Sequence, residues 1–281
     1  MLVGSEEHKE LFCRSFIATH EPWEPKDLPW PELDERSLSI LRSVPVWSSA
    51  LQTEVNAGKM IADFAATERD VLIQQALRLQ GYEEDRHGRM IATLNEQYRL
   101  NAELQPPDYK PTRKAFIDFG YNECLDSFLG FGVFRIARSV QFMPDSLMSL
   151  FTRVLWEEAR HIVFFVNWVA YDRTVRGYGG SVMQIIPTAL GYAQAVKKTF
   201  SRAGETKASD RGMSAAGDVF SDLTLTKFLQ ACLAENDTHM SKFDADLVRP
   251  RVIPTIARAA LSLVNTGGRV QNFARRTLAR T

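Results

Sequence analysis

One string of residues occurs twice in this 281-residue chain: Tyr82-Glu83-Glu84-Asp85-Arg86-His87 and Trp156-Glu157-Glu158-Ala159-Arg160-His161. Each copy reads aromatic, Glu, Glu, any residue, Arg, His. Both lie in stretches with apolar residues at three- and four-residue spacing, rich in Ala, Leu, Gln, Glu and Arg, which predicts helix. Residues three apart share a helix face, so Glu84 with His87, and Glu158 with His161, can each present an oxygen and a nitrogen to one point. Two such helices facing each other can hold two metal ions between them.

That pattern requires one further Glu on each of two more helices, level with the strings. Punctuation in the chain supplies the helices. Turn signals at Ala66 to Asp70, at Pro106 to Pro111 and at Met143 to Ser146 divide residues 37–176 into four helices, at about 44–66, 70–101, 112–141 and 145–173. Glu54 lies about 12 residues before the first turn and Glu84 about 14 after it, arms of roughly 18 and 21 Å at 1.5 Å per residue, so an antiparallel hairpin brings them level. Glu68 sits in that turn and is read as a helix-start acid. Glu123 and Glu158 flank the Met143 to Ser146 turn by roughly 20 and 13 residues, a looser match. Small and apolar neighbours surround both single acids, and a carboxylate on an apolar face needs neutralising. The remaining acids of the strings, Glu83 and Glu157, are expected to accept from the ring nitrogen of the opposite helix's histidine, with Arg86 and Arg160 balancing them inside the bundle. The plain alternative for these four residues is an exposed ion-pair face.

The strings resemble those of the ferritin-like di-iron carboxylate superfamily, and YEEDRHG and WEEARH are similar to the motifs of acyl-carrier-protein desaturases and related di-iron oxygenases. The resemblance covers the four helices, about half the chain. It implies an all-α, ferritin-like four-helix bundle in which Glu54, Glu84, His87, Glu123, Glu158 and His161 ligate two Fe ions, or an Mn/Fe pair, with Glu84 and Glu158 bridging. It implies an O2-dependent oxidoreductase (hydroxylase, desaturase or related oxygenase) acting on a largely apolar small molecule or an acyl chain, free or carrier-bound. Electrons would come from an external donor such as a ferredoxin or a reductase. Ser127, one turn after Glu123, is the candidate catalytic polar group facing the O2 side. Departures narrow the subfamily: Ile91 stands where the radical-bearing ribonucleotide reductase subunit has a tyrosine, and Val154 where arylamine N-oxygenases have a third histidine. His239 could supply a ligand from elsewhere, against the plainer reading of a capping or core histidine. Two other functions stay open, an iron-handling or peroxide-reducing metal protein and a helical binding module without metal.

Outside the bundle, residues 1–36 are read as an extended arm, because Glu21 to Glu35 is crowded with prolines that no helix interior sustains. Residues 177–281 are read as additional helices covering the bundle, at about 181–201, 219–247 and after Pro254. Phe116, Phe119, Phe128, Phe131, Phe134, Phe164 and Phe165 suggest an apolar surround for the site or plain core. Gly130 and Gly132 are costly inside a helix and suggest a bulge or thin wall.

Thirty-four basic residues balance thirty-four acidic ones, so no overall field recruits nucleic acid. Charge is nonetheless uneven: residues 1–36 hold nine acids against four bases, while the chain from Arg249 onward has Arg249, Arg251, Arg258, Arg269, Arg275, Arg276 and Arg280 and no acid. Mutual neutralisation, within the fold or across a homodimer, competes with docking of an acidic partner. Three scattered cysteines without CxxC spacing fit a reducing compartment, no apolar run is long enough to span a bilayer, and the acidic start is unlike a signal peptide. A cytoplasmic location is the resulting expectation.

Overall fold

The computed structural model describes residues 1–178, 188–197 and 223–264, and these are helical with no strand among them. The named helices are α1 (Glu6–Ala18), α2 (Glu35–Ser43), α3 (Trp47–Ala65), α4 (Val71–Tyr98), α5 (Arg113–Ser139), α6 (Asp145–Leu150), α7 (Thr152–Val175) and α8 (Leu225–Met240). Further helical residues run over 188–197 and 252–264. The four expected helices of the bundle appear as α3, α4, α5 and α7 within a few residues of their predicted ends. Phe151 separates α6 from α7 where one helix was expected.

The α3–α4 hairpin is closed by Asp70, whose carboxylate caps α4 by accepting from the amides of Leu72 and Ile73. Glu68 stays in the turn, accepting from Arg69 N and Asp70 N. Antiparallel approach here depends on missing side chains: a Cβ on Gly58 would fall 2.8 Å from Asp85 N, and one on Gly81 3.0 Å from Ala62 N. Alanine at either place would push the helices apart. Helices α4 and α7 are also antiparallel, with Glu83 beside Arg160 and Arg86 beside Glu157, as are α5 and α7, with Ser127 beside Glu158 and Arg113 beside Asp172.

Two apolar clusters fill the interior. The larger gathers Ile61, Leu77, Phe116, Phe128, Phe164 and Trp168, and the smaller, toward the other end of α4, gathers Trp23, Leu41, Met90, Leu94 and Leu147. Each fully buried Phe or Leu contributes roughly 1.5–3 kcal/mol. Along α4 and α7 the two strings fall where one cluster gives way to the other. A polar layer thus crosses the bundle between two dry blocks.

The N-terminal segment corrects the expectation of an arm extended over residues 1–36. Ser5 caps α1 by accepting from His8 N, and Phe12, Cys13 and Phe16 bury the helix against α7 and α4, with Phe12 edge-on to Phe164. Lys9 reaches Asp70 at 2.6 Å. After α1 the chain is non-helical from Thr19 to Asp34, apart from one 3-10 turn at Pro25–Asp27, and it lays Trp23 into the core. At the other end, α8 stops at Met240, well before the expected 247. Arg249 folds back there, donating to the carbonyls of Met240, Phe243 and Leu247, so this arginine closes a helix end. Arg258 pairs with Asp237. The expected Gly/Ser/Lys loop at 202–218 and the arginines from 269 onward lie outside the described residues.

Candidate metal centre

Glu84, His87, Glu158 and His161 each bring a ligand-type atom to within 4.8 Å of the other three. Their helices make this possible because α4 and α7 cross in antiparallel register, so that Glu84 meets His161 and Glu158 meets His87. His161 Nδ1 lies 3.0 Å from Glu84 Oε1, and His87 Nδ1 lies 3.0 Å from Glu158 Oε1. Neither approach has hydrogen-bond directionality: both Nδ1 atoms and Glu84 Oε1 are buried without a hydrogen-bond partner. Three unsatisfied buried polar atoms turned toward one another are a costly arrangement. A cation between them removes that cost, and the oxygen and nitrogen donors suit first-row metals.

Glu54 and Glu123 stand outside the tight group and face it. The Glu54 carboxylate, a fifth exposed, comes within 3.8 Å of His87 Nδ1, and its Cβ is level with Gly88, 3.5 Å from where a Cβ there would sit. Glu123 lies against Glu158. Electrostatics mark both. Burial raises the Glu54 carboxyl to about 8, with the charges of Glu84 and Glu158 adding to it. Burial likewise holds Glu123 well above the carboxylate range, helped by Glu158 and Glu84. Burial would also raise Glu158, yet His87 and then His161 hold it down at about 2. For His161, burial opposes the charged form, and Glu84 and Glu83 reverse this, raising the ring to about 10. With all four carboxyls ionised and both rings neutral, as metal binding would require, the set carries a negative charge that two divalent cations would match.

Behind the histidines each charged side chain has an oppositely charged partner, with Arg86 Nε left without a hydrogen bond. Nε2 of His161 hydrogen-bonds Glu83 Oε2 at 2.8 Å, and Nε2 of His87 hydrogen-bonds Glu157 Oε2 at 2.9 Å. The first Glu of each string therefore holds the opposite helix's histidine, as the sequence led us to expect, and leaves Nδ1 of each ring as the inward atom. Arg86 binds Glu157 and Arg160 binds Glu83 at 2.7 Å. All four residues are at most 1% exposed, which excludes the surface ion-pair reading. Burial would raise the Glu83 carboxyl, but His161 and Arg160 pull it well below the usual range.

What completes this layer is barely marked in the sequence. Residues 16–24, the last turn of α1 and the chain after it, close over it. Trp23 Nε1 donates to Glu157 Oε1 at 2.6 Å and its ring lies 4.4 Å from the Arg86 guanidinium. His20 Nδ1 meets Glu83 Oε1 at 2.6 Å. Arg86 also donates to the carbonyls of Glu21 and Trp23, while Arg160 donates to Thr19 Oγ1 and Phe16 O and stacks on the Phe16 ring. Trp23, within a proline-rich stretch, was the only hint.

In front of the group, between α3 and α5, lies a cavity of about 780 Å3 floored by Glu54, Glu123 and Glu158. Ser127, 7% exposed, lines it and donates to Glu158 Oε2 at 3.3 Å. Of the seven phenylalanines read as a possible surround, Phe131 alone lines this cavity; Phe116, Phe128, Phe164 and Phe165 are core. Gly132 is explained by close packing, since a Cβ there would strike Cys232 Sγ. His239 is buried, stacks on Phe131 at 4.6 Å and has no hydrogen-bond partner at either nitrogen. It does not join the Glu/His group.

Comparison of the chain with family models, with curated proteins and with solved structures gave no match. The buried Glu/His group therefore stands on its own geometry.

Proposed function

We propose that this protein is a dimetal oxidoreductase using O2, of the kind the ferritin-like resemblance implies. The observation that carries the reading is the pair of inward, unpartnered Nδ1 atoms with Glu84 Oε1, each ring held from behind by a buried glutamate. Glu54, Glu84, His87, Glu123, Glu158 and His161 would hold the ions. Two Fe, or Mn with Fe, in such a donor set supply redox chemistry with O2 when an external donor provides electrons.

This chain's own residues do the rest. Glu83 and Glu157 fix the tautomer of His161 and His87, keeping Nδ1 free as an acceptor. Arg86 and Arg160 neutralise those glutamates in a dry layer, and residues 16–24 seal it from water. Ser127 orients the Glu158 oxygen that faces the cavity. The cavity favours a substrate-oxidising enzyme over a protein that only stores iron, because it gives an organic molecule access to the carboxylate face.

Metal analysis after expression with iron should find about two Fe per chain. Glu84→Ala should remove that metal, while Glu68→Ala, in the α3–α4 turn, should retain it. Less than a tenth of an equivalent in the unmodified protein would end the reading, and a centre that consumes peroxide but ignores organic compounds would replace it with the peroxide-reducing alternative.

A further inference from the structure

Beyond floor and metal ligands, the walls of the cavity carry information about what it holds. At about 780 Å3 it is in the range of small-molecule sites. On α3 the wall is polar, with Ser49, Gln52, Thr53 and Asn56. On the α5 and α7 side it is Ser127, Gly130, Phe131 and Leu155. No lysine, arginine or histidine lines it among the described residues.

Gly130 is the informative member. It sits in the middle of α5, where glycine costs about 1 kcal/mol relative to alanine. Gly120 and Gly132 are forced by Phe165 and Cys232, whose atoms a Cβ would strike. At Gly130 a Cβ would meet nothing within 4 Å, so packing does not require the glycine. Its side-chain space is cavity space.

The missing cation matters as much. A carboxylate, phosphate or sulfate entering here would face Glu54, Glu123 and Glu158 with no basic side chain among the described lining residues to receive it. Long acyl chains fit poorly too: Ser49, Gln52 and Asn56 are bonded within the protein, but the Thr53 hydroxyl and the carboxyls of Glu54 and Glu123 line the cavity, and an alkyl chain would strip these of water without replacing it. A molecule with an apolar body and an amino or hydroxyl group satisfies both walls.

We propose that the cavity binds a small, non-anionic organic molecule bearing an amino or hydroxyl group, its apolar part over Gly130, Phe131 and Leu155 and its polar group toward Thr53 and the glutamate floor. The proposal takes its relevance to turnover from the dimetal reading, but binding itself is separable from it. It also departs from the apolar or acyl substrate that the sequence resemblance implies.

The test is calorimetric titration of the full-length, metal-loaded protein with a matched set, cyclohexylamine, cyclohexanol and cyclohexanecarboxylate, together with dodecanoate. The amine or the alcohol should bind at least about tenfold more tightly than either carboxylate. Gly130→Leu should weaken that binding at least about tenfold while leaving metal content and helicity unchanged. An unchanged melting profile of the Gly130→Leu protein controls for folding. Preference for a carboxylate, or full binding by a folded Gly130→Leu protein, would overturn the proposal. If metal is absent yet the amine still binds and Gly130→Leu blocks it, the dimetal reading fails and this one survives; metal without any binding by amine or alcohol gives the reverse.

Discussion

The two sides of the Glu/His group are built on opposite principles. Behind the histidines every charge has a partner: Glu83 and Glu157 are bound by histidine and arginine, and residues 16–24 add a tryptophan, a histidine and backbone carbonyls. In front, Glu54 and Glu123 face a cavity with raised carboxyls and no arginine or lysine among the described lining residues. The rear is arranged for stability of geometry and the front for exchange with something not part of the chain. Substitutions of comparable size should therefore act very differently on the two sides.

The largest expected effect lies at the rear. Arg86 and Arg160 are essentially unexposed, so Arg86→Leu or Arg160→Leu strands a buried carboxylate and should cost about 3–5 kcal/mol. For a chain of this size that lowers the melting temperature by roughly 5–10 °C. Glu123→Gln at the front removes a crowded charge and should change stability by no more than about 1 kcal/mol, in either direction. Equal losses in thermal unfolding of the two variants would abolish the distinction.

A second comparison separates holding a histidine from being a ligand. Glu157→Ala leaves all six candidate ligands in place and frees His87 Nε2, so the ring loses its fixed tautomer. Affinity for Fe(II) or Co(II), measured by competition with a chelator, should fall about 10- to 100-fold. Undiminished affinity would mean that Glu157 serves only the arginine.

How much of this was legible in the sequence follows from which contacts are local. Helix periodicity and the duplicated spacing gave α3, α4, α5 and α7, and the doubled string gave the cross-helix pairing of each histidine with the first glutamate of the opposite string. Those are consequences of i to i+3 geometry repeated on two antiparallel helices. The closing segment was not legible, because His20 to Glu83 and Trp23 to Glu157 span 63 and 134 residues and no local pattern encodes them. The helix α1 did leave a sign that the proline-rich stretch after it obscured: Ser5 followed by two acids, then Phe12 and Phe16 one turn apart. The early end of α8 depends on Arg249 reaching back nine residues, which composition read as part of a docking tail. For the cavity, the sequence marked Gly130 and Gly132 equally, and only packing tells them apart.

Within the rear layer itself, the His87 side and the His161 side differ in the residue that the closing segment brings. Glu157 receives the buried Trp23 indole, whereas Glu83 receives His20, whose side chain is 22% exposed. Trp23→Phe keeps most of the apolar contact and deletes one donor to a charged group, a loss of about 1.5–3 kcal/mol. His20→Phe, at a site water can reach, should cost about 1 kcal/mol or less. Chemical denaturation of the pair would order them, and a larger loss for His20→Phe would show that the two sides are sealed the other way round.

The smallest effect is expected where a carboxylate is paired away from the centre. Asp172, near the end of α7, accepts from Arg113 at the start of α5, with Nε at 2.9 Å, and from Arg176 at 3.0 Å. Burial would raise this carboxyl, but the two arginines outweigh it and hold it below its usual value of 3.8. A lowered folded value means that the pair's contribution is fully present above the unfolded value and is lost as pH falls through the folded one. Arg113 and Arg176 are both more than a third exposed, so screening reduces the contribution to about 0.5–1 kcal/mol. Asp172→Asn should therefore destabilise the protein slightly at pH 7 and progressively less below about pH 4, as the unmodified carboxyl itself takes up a proton. High salt should shrink the difference at pH 7, because exposed guanidinium groups are screened. The rear glutamates, bound in a dry layer, should keep their effects in the same salt; an Asp172→Asn loss as large and as salt-resistant as that of Arg86→Leu would mean that burial is not what sets the rear of the site apart.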